Sequence, residues 1–330
     1  MPGADPARRS QLLGLKLAAL VRDHAGADAA IVPGVWPGGA ALMRNGEAWV
    51  LAEDDADRSL GRALAWARQQ GAVALHLLAE RSTGLLARRA ALFAVPPTVW
   101  EVRDRTLVRA EAQPHVVPPA LDPELAEFAG LIESAGAVPV VERGVLIGEV
   151  DGLEVCRAVR DSETGACRLD VGVGAHDREA FQLVHGDVPT AAALKMVVDA
   201  VIPHRRPGAE PHPLNRLGAE RAVRARLVRE PSLVGASSLA AADPPVERLN
   251  VKDAVPCAAV GVQSSGEPVV VVCSAGIDLD VIPWAADARA CLGLADARLV
   301  VVLPERDRAD VTVALAGALA RPAEVLSLQA

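Results

Sequence analysis

Apolar and polar positions repeat along this chain in two periods, and the switches between them lay out its elements. After a polar arm, Leu13, Leu17, Leu20 and Val21 fall at i, i+4, i+7 and i+8, the stripe of a helix that starts at Ser10 and takes it as a cap. Short strands follow over 29–32, 40–43 and 49–52, with Asn45-Gly46 between the last two. That pair accepts positive φ and predicts a tight hairpin. A helix over 59–70, a buried strand over 74–79, a helix over 84–93 and a strand over 98–102 complete the first unit.

The last third repeats the order. A helix over 219–228 precedes strands over 236–239, 257–262 and 268–273, then a helix over 282–292, a strand over 298–303, a helix over 309–320 and a strand over 323–328. Gly46-Glu47 corresponds to Gly266-Glu267, and Glu80-Arg81 to Glu305-Arg306, at nearly constant spacing. A repeat this long predicts two related domains and not a solenoid. Proline-dense stretches at 113–119 and 207–213 bracket the middle, which reads as a helix over 122–135, strands over 138–141, 145–150, 153–159 and 168–173, and helices over 177–184 and 190–202. The expected fold class is α/β in three units: 1–112, a central domain over 113–213, and 214–330. The outer two are a duplication in α-βββ-α-β-α-β order.

Composition changes this picture in a few places. With 51% apolar and 23% charged residues, all 330 positions suit globular folding. There is no tyrosine and there are three phenylalanines, so small aliphatics build the cores and each of the five tryptophans is an expected anchor. Lysine occurs only at Lys16, Lys195 and Lys252, a bias of GC-rich bacterial coding. A net charge of −8 excludes a protein whose whole surface engages nucleic acid. Cys156, Cys167, Cys257, Cys273 and Cys291 are odd in number, form no C-x-x-C and sit in or beside apolar runs. They predict reduced thiols in a cytoplasm. No apolar core follows the first charges, and no run approaches the roughly 18 residues of a membrane span. The expected location is cytoplasmic, with no membrane partner.

The order of the outer units resembles the restriction-endonuclease-like fold, the PD-(D/E)XK superfamily, with acids near the third strand: Glu53, Asp54 and Asp55 in one unit, Asp278 and Asp280 in the other. The resemblance implies a strand-borne acid and an E-x-K pair around a divalent metal. The chain departs from it there. No E-x-K triplet occurs, and no lysine falls on a predicted third strand, where it would stabilise developing charge and orient the water. The resemblance therefore implies degenerate units without the cleavage activity.

Candidate chemistry gathers in the middle. Glu149, Glu154 and Asp170 lie on neighbouring predicted strands with Asp151 at a turn, as carboxylates must to hold a hard cation. His176 and Glu179 share a helix face, and His185 and Asp187 follow one loop later. Glu149, Glu154, Asp170, His176 and Glu179 would be the catalytic set of a metal-dependent hydrolase or nuclease, with Glu154, Asp170, His176 and His185 binding a divalent metal. The plain alternative makes them turn acids, a cap at Asp177 and surface histidines, and the H-E-x-x-H spacing is absent. Gly172-Val-Gly174 before a helix reads as a tight turn, lacking the third glycine of a dinucleotide fingerprint and the lysine of a P-loop.

Farther on, Arg205, Arg206, Arg221, Arg224 and Arg229 make the only locally basic stretch, suited to phosphate or carboxylate, with no aromatics to stack on bases. Three functions stay open. The absence of a complete catalytic motif favours a binding or scaffold protein with a protein partner. The alternatives are the hydrolase and a nucleic-acid-binding protein using 205–229. Convergence of the central acids and histidines in one cleft would favour the enzyme.

Overall fold

The structure, a computed structural model, describes residues 6–26, 29–174, 177–180, 188–206, 208–210, 212–246 and 255–329. It is mixed α/β, with sheets of six, four and five strands. Contacts group the chain into two compact units, one of Met1–His115, Ile277–Asp287 and Ala309–Glu324, the other of Val116–Gly276, Ala288–Arg308 and Val325–Ala330.

The first part runs α1 (Pro6–Ala25), β1 (Ile31–Gly34), β2 (Gly39–Arg44), β3 (Glu47–Ala52), α2 (Leu60–Gln69), β4 (Ala74–Ala79), α3 (Thr83–Ala90), β5 (Thr98–Arg103) and β6 (Thr106–Arg109). Its strands lie in sequence order. β1–β2 and β2–β3 are antiparallel, β3–β4 and β4–β5 parallel. The predicted hairpin forms, with Asn45 at φ 52° and Gly46 at φ 79°. The α1 stripe of Leu17, Leu20 and Val21 packs on Leu42, Trp49, Leu51 and Leu78. Trp49 is buried and stacks on His76 at 3.9 Å, the anchoring expected of a tryptophan in a tyrosine-free core. β6 was not anticipated; it is four residues long and mostly exposed, so no apolar run announces it.

The middle supplies α4 (Pro123–Ala126), α5 (Ala129–Ser134), β7 (Val138–Glu142), β8 (Val145–Val150), β9 (Leu153–Arg160), β10 (Cys167–Val171), α6 (Thr190–Arg205) and α7 (Pro213–Arg216). The helix expected over 122–135 is two pieces, broken at Glu127 and Phe128. The described part of the helix expected over 177–184 is 177–180.

The last part runs α8 (Ala219–Arg229), β11 (Ala236–Ala242), β12 (Cys257–Gln263), β13 (Pro268–Cys273), α9 (Val281–Cys291), β14 (Arg298–Pro304), α10 (Asp310–Gly317) and β15 (Glu324–Leu328). Its sheet repeats the first: two antiparallel pairs, then a parallel pair between β13 and β14 joined through a helix. Val269–Cys273 and Val300–Val302 are fully buried, as strands covered on both faces must be. Within the first compact unit, the segments that follow α3 and α10 pair reciprocally. Phe93 bridges Leu319, the Ala94 N–H donates to the Ala318 carbonyl, and the Ala320 N–H donates to Leu92.

Both faces of the four-stranded sheet matter for the site. One face is an apolar core in which Leu146, Val150, Leu153, Val155 and Cys156 meet Ile132, Leu194 and Val198. The other carries charge and lies under α8. That helix packs Val223, Leu227 and Val228 against the five-stranded sheet and sends Arg221 and Arg224 the other way.

Candidate functional site

The site grows from an irregularity in a strand. Along a regular strand, residues three apart point to opposite faces. Between β8 and β9 the register shifts: Gly148 faces Cys156, yet Glu149 faces Glu154, so Val155 is the extra residue of a bulge. Glu154 and Arg157 therefore share a face, and Arg157 clasps the Glu154 carboxylate through Nε at 2.9 Å and Nη2 at 3.1 Å.

Two glutamates directly opposite one another repel, and Glu149 and Glu154 are only 3% and 4% exposed. Arginines resolve this. Arg221 Nη1 donates to Glu154 at 3.3 Å, Arg178 Nη1 to Glu154 at 2.9 Å, and Arg224 Nη2 to Glu149 at 2.8 Å. Arg221 and Arg224 also clamp one oxygen each of Glu142, the last residue of β7. Arg221 and Arg224 are 3% and 1% exposed.

Glycines let the helix come this close. A Cβ on Gly152, in the β8–β9 turn at φ 79°, would lie 2.2 Å from the Arg221 carbonyl carbon. Any larger residue pushes α8 away.

The electrostatics follow from this packing. Burial pushes Glu142 up, but Arg224 and Arg221 overcome it and hold its carboxyl below the usual range. Burial is likewise outweighed at Glu154, chiefly by Arg157, and its carboxyl also sits low. On the apolar face, burial pushes the Cys156 thiol up to about 12, so it is no nucleophile at neutral pH.

The residues singled out from sequence are thus brought together in an unexpected pairing. The acids Glu149 and Glu154, expected around a metal, are the partners of Arg221 and Arg224, expected to face phosphate. Asp170 lies opposite Arg157 in register, but its carboxylate accepts from Arg168 Nε at 2.7 Å. Glu179 is exposed. His176, His185 and Asp187 lie outside the described residues. Arg205 donates to the carbonyls of Asp151, Leu214 and Leu217, pinning the chain before α8. Arg206 is exposed, and Arg229 pairs with Asp151 at the surface. Glu142, Arg157 and Arg178 were missed; their only signal was an excess of arginine around a strand pair that carries glutamates.

Most of the acids beside the third strands are also engaged, Asp280 through one oxygen only. Lys16 on α1 reaches Glu53 at 3.4 Å and Glu80 at 2.6 Å, Arg9 pairs with Asp54 at 2.6 Å, and Arg58 with Asp278 at 2.5 Å. Asp280 accepts from the Gly61 N–H at 3.0 Å. Among the described residues no three histidine, cysteine, aspartate or glutamate side chains are placed to hold a metal ion, and no helix is long and apolar enough to cross a membrane. No protein-family model, curated protein or solved structure matches this chain.

Proposed function

We propose that this chain is a binding protein without chemistry of its own, built on outer units of degenerate, nuclease-like order. One observation carries the reading: both oxygens of Glu142 and Glu154 and one oxygen of Glu149 are occupied by guanidiniums. A metal at Glu154 would have to displace Arg157, Arg178 and Arg221 together, and removing one partner of a buried pair costs roughly 3–5 kcal/mol. A general base needs a proton affinity near working pH, and the same arginines take that affinity from Glu142 and Glu154. The ion pairs at Glu53, Asp54 and Asp278 support the same conclusion for the outer units.

The test is thermal unfolding of the full chain in Mg²⁺, Mn²⁺ or Zn²⁺ against EDTA. The midpoint should be the same in all four, and Glu154→Ala should lower it equally with and without metal. A saturable metal-dependent rise that Glu154→Ala abolishes would overturn the reading, because a ligand at about a hundred times its Kd adds about 2.7 kcal/mol.

A further inference from the structure

We infer that the cavity beside the buried network receives a small carboxylate or phosphate anion between the guanidiniums of Arg143, Arg157 and Arg221. The inference rests on the binding reading above and names its ligand. The cavity measures about 290 Å³ and is lined by those three arginines together with Glu142, whose oxygens Arg221 and Arg224 hold, and by Val145 and Ile147. Val145, Ile147 and Glu149 alternate along β8, so the apolar wall and the charged layer belong to the same sheet face.

Three features make this more than a basic surface. The first is charge: Arg157, Arg178, Arg221 and Arg224 meet three glutamates, Glu142, Glu149 and Glu154. Arg143 adds another guanidinium, and Asp243, which accepts the main-chain N–H of Arg143 at 2.5 Å, adds one carboxylate, five against four. The balance stays positive in a partly desolvated place, where each guanidinium fork matches an oxyanion.

The second feature is a donor without an acceptor. Arg221 is 97% buried and lines the cavity, yet its Nε has no hydrogen-bond partner; Glu149 is 3.4 Å away, outside bonding geometry. A buried unpaired donor on a charged group is costly, and a negative charge in the cavity that Arg221 lines would offset part of that cost.

The third is rigidity. Arg143 sits at φ 50° in the two-residue turn between β7 and β8, and its Nη1 donates to the Pro244 carbonyl at 3.2 Å. A Cβ on the neighbouring Gly144 would lie 2.5 Å from the Pro119 carbonyl, so the turn is locked against that segment. Arg157 is fixed through its Nε–Nη2 edge on Glu154, which turns its remaining edge away from that carboxylate. The receptor is preorganised, which lowers the ordering cost of binding. Its volume is at the small end of ligand cavities, roughly 300–1,000 Å³. It suits an anionic group with a short apolar portion against Val145 and Ile147.

The experiment titrates the full chain with inorganic phosphate and, separately, with succinate, at constant ionic strength set by sodium chloride, reading heat of binding and the unfolding midpoint. At least one of the two should bind saturably; which one does so assigns phosphate or carboxylate. Arg143→Gln should weaken that binding about tenfold, the loss of one charge-assisted contact. Its unliganded midpoint should stay close to wild type, since the turn keeps its main-chain bond to Asp243. Should that variant fold poorly, Arg143→Lys, which keeps the charge and loses the fork, should weaken binding in the same direction. Saturation by neither anion, or equal binding by wild type and the Arg143 variants, overturns the site. If neither anion binds and no metal stabilises the chain, the anion site falls alone. A metal-dependent rise lost in Glu154→Ala overturns the binding reading itself.

Discussion

Glu154 in the second compact unit and Asp280 in the first are buried to nearly the same degree, at 4% and 3% exposure, and their acidities move in opposite directions. Glu154 has Arg157, Arg178 and Arg221 on its oxygens, and its carboxyl stays below the usual range despite burial. Asp280 has one main-chain donor, Gly61, and Arg62 no closer than 4.0 Å, and its Oδ2 has no hydrogen-bond partner. Burial pushes its pKa up to about 6, with Asp278 adding to the rise. The fate of a buried acid is therefore set by how many donors the surrounding elements deliver, and α8 delivers two guanidiniums from one helix face. Desolvation, with the nearby Asp278 carboxylate, raises Asp280 to about 6.

The comparison can be broken in several ways, the largest first. Arg224→Met leaves Glu142 and Glu149 buried with too few counter-charges and should cost about 3–5 kcal/mol in urea unfolding; a loss under 1 kcal/mol would mean that water replaces the guanidinium easily.

Asp280→Asn should stabilise by up to about 3 kcal/mol at pH 7. The sign comes from the raised folded pKa: the unfolded chain releases this proton near pH 3.9, the folded one near 6, so stability falls as pH rises across that window. The gain should vanish below about pH 4, because the acid is then protonated in both states. Glu142 and Glu154 act the other way. Their folded pKa values are depressed, so their contribution is present above about pH 4.3 and is lost as pH falls below it. Unfolding measured from pH 3 to 8 in wild type and Asp280→Asn separates the two slopes.

Gly152→Ala should cost about 2–3 kcal/mol, through the approach to the Arg221 backbone and the positive φ. Retained stability would show that α8 can move without losing its ion pairs. Arg229→Ala, which removes an exposed pair with Asp151, should change stability by less than about 1 kcal/mol.

Much of the fold was legible because periodicity is local. The strands over Ala74–Ala79, Val145–Val150 and Pro268–Cys273 were read to the residue, and the Asn45-Gly46 hairpin formed as its chemistry demands. β6 escaped because a short exposed edge strand has no buried face to pattern its sequence. The site was half legible. Glu149, Glu154, Arg221 and Arg224 stood out, but as rival functions, since nothing local says that a helix more than sixty residues along lies on those strands.

The chain by itself determined its α/β elements, their repeated order and the place of Glu154 within an apolar run, because these follow from backbone preference and hydrophobic period. Tertiary structure decided what the charges mean. Only the docking of α8 at Gly152 and the bulge at Val155 bring Arg221, Arg224 and Arg157 onto three glutamates, and Coulomb energy depends on that distance in space rather than on separation along the chain.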